Sequence, residues 1–168
     1  MNKIILNIIR IVCLIVVGSF FLSFFVVSCN GEDYHTTGTD AAFGNKEKQI
    51  NPHPLLILVP GVALIVLILV SILSVREKNV QLDKKITATK CVTVIGSIIG
   101  LILLAIAHDT ALKEVRSQLG MNDISSYFRT GIGFKISVGS YIAMFVLPFV
   151  DIILRKINIF PQNNVSTG

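Results

Sequence analysis

Four long apolar runs fill most of this 168-residue chain, and its charges lie almost entirely between them. The runs are Ile4 to Ser28, Leu55 to Val75, Cys91 to Ala107 and Ile136 to Leu154. The second and third hold no charge, the first holds Arg10 and the fourth Asp151. Each has 17 to 25 residues, the length a helix rising about 1.5 Å per residue needs to cross about 30 Å of hydrocarbon. A soluble helix would interrupt such runs with a polar stripe, and barrel strands would alternate over only about ten residues. With 52% hydrophobic and 15% charged residues and a mean hydropathy of +0.74, the expected fold is an all-α membrane protein, a four-transmembrane-helix bundle in one membrane domain.

Lysine and arginine set the expected orientation. The N-terminus, the segment Arg76 to Lys90 and the tail after Leu154 carry nine of the fifteen basic residues and two acids, Glu77 and Asp83. Segments 29–54 and 108–135 carry six basic residues and seven acids. The positive-inside rule then places both termini and the middle segment in the cytoplasm of a cell whose plasma membrane the chain spans. The expected order is helix 4–28, outer loop 29–54, helix 55–75, cytoplasmic loop 76–90, helix 91–108, outer loop 120–135, helix 136–154 and cytoplasmic tail 155–168. The net charge of +5 follows from this layout. Basic residues beside the membrane favour anionic lipid, and nothing in them reads as nucleic-acid binding.

Two outer pieces remain. Cys29 to Pro54 is rich in Gly, Thr, Asn and Asp and predicts turns or short strands. After Asp109, Ala111, Leu112, Val115 and Leu119 recur at helical spacing and stop at Gly120, a C-cap residue. The third helix is therefore expected to project outward to residue 119, covering the first outer loop. The two loops together form a small external cap, too small to fold without the bundle beneath it.

Of three cysteines, Cys13 and Cys91 fall in helices and only Cys29 lies outside, so no intramolecular outer disulfide can form. The N-terminus also offers a second reading: a basic start, an apolar stretch and Val26-Val27-Ser28-Cys29 match the pattern of a bacterial lipoprotein signal. The alternatives are a lipidated, processed Cys29, or a first helix ending in a turn at Ser28-Cys29-Asn30-Gly31.

The histidines, His35, His53 and His108, all fall on the outer side, with Asp109 adjoining the last. Histidine with carboxylate can hold zinc or titrate between about pH 5 and 8. The spacing matches no metal motif, so these stand as candidates beside the plainer reading of interfacial histidines. Arg10 and Asp151 are placed near the cytoplasmic interface, where intramembrane charges pair or snorkel. An Arg10–Asp151 bridge, an Asp151–Arg155 pair at i+4, or separate snorkelling are the readings.

Gly96 and Gly100 form a GxxxG pattern, and Gly139, Ser140 and Ala143 are small, so the third and fourth helices are expected to pack closely, within one chain or across a homodimer. Pro60-Gly61 and Pro148 are expected kinks. Tyr127, Phe128 and Phe134 suit the outer interface. Asn164-Val165-Ser166 has the form of a glycosylation sequon but lies on the cytoplasmic side. No catalytic triad, phosphate loop, CxxC, HExxH or paired-acid motif is present, and no cofactor is implied.

The run Phe20-Phe21-Leu22-Ser23-Phe24-Phe25-Val26-Val27-Ser28-Cys29-Asn30-Gly31 resembles the first-helix ending, FFxxFxVSCxG, of an uncharacterised family of small four-helix integral membrane proteins from Clostridium-type bacteria. Gly44, Asn51-Pro52 and Gly131-Ile132-Gly133-Phe134 are similar to later features of that group, and Ser23 stands where many relatives have proline. The likeness covers about a quarter of the chain and implies fold and location, not activity. The two-loop plan is similar to that of claudins and tetraspanins, whose Trp-based and Cys-Cys-Gly loop signatures are absent.

The leading expectation is a non-enzymatic multi-pass protein, an accessory, assembly or envelope-interaction subunit whose partners are the bilayer and another membrane protein or a second copy. The alternatives are an extracytoplasmic sensor or metal-binding protein, and a lipoprotein anchored at Cys29. A channel would need polar lining at mid-bilayer, which the second and third helices supply only as Ser, Thr and Gly.

Overall fold

A computed structural model of the chain describes residues 3–29, 32–45, 51–75, 82–119 and 127–158. The fold is mostly helical, with a small three-stranded sheet at one end. In order come α1 (Lys3–Ser19), β1 (Ser23–Cys29), β2 (Glu32–Thr37), α2 (Gly38–Phe43), a 3-10 turn (Pro54–Ile57), α3 (Leu58–Val75), α4 (Leu82–Leu119), β3 (Phe128–Thr130) and α5 (Ile132–Asn158).

Three helical stretches, Pro54–Leu73, Ile86–Ser117 and Ile132–Leu154, are long and apolar enough to cross a membrane. The first apolar run departs from expectation: it is not one helix over 4–28. Its helix ends at Ser19, and Ser23–Cys29 is the central strand of the sheet. The reason is local. Gly18 and Ser19 weaken the helix, and the Ser19 hydroxyl donates to the Val16 carbonyl at 2.7 Å, competing with the backbone ladder. The chain tightens through i→i+3 bonds, Phe20 N to Val17 O at 3.3 Å and Leu22 N to Ser19 O at 3.0 Å. Beyond it, Phe24, Phe25, Val26 and Val27 are aromatic or β-branched and favour extended backbone.

β1 pairs antiparallel with β2 on one side and β3 on the other. Its register to β2 shifts between Ser23 and Phe25. The extra residue of this irregularity is Phe24, which lets two consecutive phenylalanines both lie buried. The β1–β3 ladder extends at each end, with Gly131 N donating to Phe24 O and Ser28 N to Tyr127 O, both at 2.8 Å. Gly131 lies so close to the Ser23 carbonyl that a side chain would collide with backbone. Thr37 closes β2 and opens α2, its hydroxyl accepting from Asp40 N at 3.0 Å. Gly44 ends α2 at φ 78°, in the left-handed region that favours glycine.

The helices run antiparallel in a common register. Ser19 bonds Ser137 at 2.7 Å and Cys13 approaches Met144 at 3.9 Å, which aligns α1 with α5. Gly100 lies against the ring of Tyr141, and Lys90 pairs with Asp151, so ten residues of α4 match ten of α5. Gly96 lies against Val66 of α3, and Tyr141 donates its hydroxyl to the Val59 carbonyl at 2.5 Å. The GxxxG pair thus packs within the chain, but against two helices: Gly96 faces α3 and Gly100 faces α5. Pro60 falls in the first turn of α3, where no helical N–H bond is lost. Pro148 is interior to α5.

Beside its apolar core the bundle buries several small polar residues and exposes many large apolar ones. Ser19, Thr89, Thr93, Ser97, Ser137, Ser140 and Asp151 are buried, while Ile65, Ile68, Ile95, Ile102, Ile142 and Ile153 face outward. Two of the inward hydroxyls bond within their own helix, Thr93 donating to Thr89 O at 2.8 Å and Ser97 to Val94 O at 2.7 Å.

Candidate functional site

The features that carry side-chain chemistry lie at the two ends of the bundle. At the sheet end, α4 passes the start of α5 and continues to Leu119. Ala111, Leu112 and Val115 of this extension pack on the core. Their spacing puts Glu114 on the same projecting segment, and it meets the segment that enters α3. Glu114 accepts from Asn51 Nδ2 at 2.7 Å and its other carboxylate oxygen meets His53 Nε2 in a close polar contact. The His53 backbone N–H in turn donates to the Ala41 carbonyl at 2.8 Å. One carboxylate therefore fastens the Asn51–His53 segment and, through it, α2 onto α4.

Beneath the sheet lies an aromatic cluster. Phe24 is flanked edge-on by Phe20, Phe25 and Phe134 at centroid distances of 5.7, 6.0 and 5.9 Å. Edge-to-face geometry places positive ring edges on negative faces. His108 of α4 completes it, 5.6 Å from Phe128 and 5.8 Å from Phe134. Phe128 is buried and joins this interior cluster with Phe134. Tyr127 does remain exposed.

The candidate metal ligands are not brought together. His35 on β2 meets Ser23 Oγ at 3.3 Å, His53 pairs with Glu114, and His108 is wedged among phenylalanines. Asp109 pairs with Lys113 at 2.6 Å on the exposed face of α4. Among the described residues no group of three His, Cys, Asp or Glu could hold a metal ion. Glu114 escaped the sequence reading. The available signal was a carboxylate on the outer helical extension together with a histidine in the loop that this extension had to cover.

At the opposite end, Asp151 is 1% exposed and pairs with Lys90 of α4 at 2.8 Å, the lysine side chain being 16% exposed. The partners expected for Asp151 from the sequence do not include Lys90, and the Arg10–Asp151 bridge, one of the three readings, does not form. Arg10 donates through Nη1 to Asn7 Oδ1 at 3.2 Å, one turn back along α1. Cys13 is level with Met144, so the Arg10 backbone stands four residues, about 6 Å, deeper in the bundle than that of Asp151. An Asp151–Arg155 pair, the Cys29 side chain, Gly120 and the sequon at Asn164 lie outside the described residues. Cys13 is buried and Cys91 exposed, and both are free thiols.

β2 presents an accessible polar surface. Glu32, Asp33, Tyr34 and His35 are all exposed on a strand that, among the described residues, has β1 as its one neighbour in the sheet. Ser28 donates to Asp33 across the ladder, and Tyr34 donates to Glu32 at 3.3 Å. No family model, curated protein or solved structure matches the chain.

Proposed function

We propose that this chain is a four-crossing protein of the plasma membrane, with both termini in the cytoplasm, that acts without catalysis by presenting its sheet end to another protein of the membrane or envelope. The bilayer reading is supported by the outward isoleucines and inward hydroxyls, the arrangement expected when the solvent is hydrocarbon. α1 is the fourth crossing. Its 17 residues cover about 25 Å, and the Ser19–Ser137 contact brings its end within one to two turns of the start of α5.

The observation that carries the recognition role is β2, an exposed acidic strand fixed on a rigid base. β1 ties it to the aromatic cluster, and Glu114 anchors the neighbouring loop to α4. A strand edge with exposed side chains is the surface extended partners add to. Retention of residues 1–28 is part of this reading, because processing at Cys29 would remove α1 and the strand that joins β2 to β3.

The test is photo-crosslinking in cells with a photoreactive residue at Tyr34 and, separately, at Ile102 on the outward face of α4. A discrete protein adduct from position 34 alone supports the reading, and a self-adduct there assigns a second copy as the partner. Lipid adducts alone from both positions contradict it.

A further inference from the structure

We propose that Arg10 binds the phosphodiester of an anionic phospholipid in the leaflet at the Lys90–Asp151 end of the bundle. The proposal rests on the bilayer reading above. Apart from Asn7 and residues of small size, α1 is apolar from Ile4 to Ser19, so Arg10 is a charge placed among hydrocarbon. Such a charge needs a counter-charge, and among the described residues no carboxylate meets Arg10. Asp151, the described acid of that end, is held by Lys90. Arg10 Nε is enclosed without a hydrogen-bond partner, and Nη1 reaches only the neutral Asn7.

The geometry points to a headgroup. Helical side chains lean toward the N-terminus of their helix, and for α1 that is toward the Asp151 layer and the cytoplasmic surface. The hydrogen bond to Asn7 follows this direction. The distance to that layer, about 6 Å, is within reach of a snorkelling arginine. Asn7 is exposed, and Ile4, Ile8 and Ile11 around it are exposed apolar residues, a surface for acyl chains beside a polar slot. A planar guanidinium suits phosphate oxygens in paired bonds, and the Asn7 contact holds it in one orientation before lipid arrives. A carboxylate on a partner helix would have to approach from the side, among the isoleucines.

The full chain is reconstituted in symmetric phosphatidylcholine vesicles with and without phosphatidylglycerol, and both thermal stability and lipid retained on extraction are measured. Phosphatidylglycerol is expected to raise the melting temperature of the native chain. R10Q should remove that increment and retain the lipid about tenfold less well, the scale of a lost charge-assisted bond. R10K should keep part of the effect and N7A should weaken it. An unchanged phosphatidylglycerol effect in R10Q would overturn the proposal, as would no effect in the native chain, which would leave a partner carboxylate as the counter-charge. Inorganic phosphate in phosphatidylcholine vesicles should not substitute, and equal stabilisation by it would overturn the assignment to lipid. Equal melting of R10Q and native chain in phosphatidylcholine shows that the variant folds. Because the vesicles are symmetric, lipid binding does not depend on orientation. Protease protection of an N-terminal epitope in intact cells tests the membrane reading separately.

Discussion

Lys90 and Asp151 form an ion pair at 2.8 Å in the same antiparallel register that seats Gly100, ten residues later in α4, against Tyr141, ten residues earlier in α5. The pair therefore marks one end of a continuous α4–α5 seam. With Asp151 almost fully buried, removing Lys90 leaves a carboxylate enclosed without that partner. We predict that K90M destabilises the chain by about 3–5 kcal/mol. The double variant K90M/D151L should recover most of that loss, because a paired burial is replaced by an apolar one. Thermal unfolding of the reconstituted variants measures both.

The seam makes a second prediction by contrast among glycines. A Cβ at Gly100 would overlap the Tyr141 ring, and one at Gly96 would overlap Val66, whereas Gly18 and Gly139 have open space around them. G96A and G100A should each cost about 1–3 kcal/mol through overpacking. G18A and G139A should be neutral or slightly stabilising, since alanine is the better helix former by about 1 kcal/mol. Equal effects at all four positions, read from melting temperatures, would contradict the helix alignment.

Glu114 joins Asn51 and His53 to α4. In E114A the Asn51–His53 segment loses both bonds. The amide of His53, which donates to Ala41, should exchange about tenfold faster or more, as expected for loss of a hydrogen bond to a charged group. Amides in the middle of α5 should be unaffected. Hydrogen exchange followed by peptide mass analysis distinguishes a local latch from a global loss of stability.

Cys29 ends the central strand, opposite Glu32. If the chain keeps α1 and β1, the thiol is dispensable. C29S should then be made at native levels, migrate unchanged and melt within about 1 kcal/mol of the parent, the range of ordinary surface substitutions. A shift in mass on C29S, showing that the parent carries lipid at a processed Cys29, would remove α1 from the mature fold.

Much of the bundle was legible in the sequence because length and unbroken apolarity specify a membrane-length helix without reference to partners. α3, α4 and α5 follow directly, as does the extension of α4, whose periodic apolar residues needed something to cover. β1 was hidden inside the first run because hydropathy does not separate a buried strand from a buried helix. The distinguishing signal was the change at Gly18-Ser19 from helix formers to the Phe24–Val27 block. The GxxxG pattern announced close packing but not its partners, which depend on how the helices rotate: Gly96 and Gly100 are four residues apart and meet different neighbours. Asp151 found Lys90 because the α4–α5 register, invisible in the sequence, made them level. Glu114 was missed because its partner, His53, is 61 residues away.

The central claim is that α1 crosses the membrane and delivers β1 to the outer sheet. Its most direct test is cysteine labelling of intact cells with a membrane-impermeant maleimide, in a chain whose native cysteines are replaced. Single cysteines are placed at Asn2, Tyr34 and Asn79. The account predicts that position 34 reacts in intact cells and that positions 2 and 79 react only after permeabilisation. Labelling of positions 2 and 34 from the same side would show that α1 does not cross, and would contradict the four-crossing architecture.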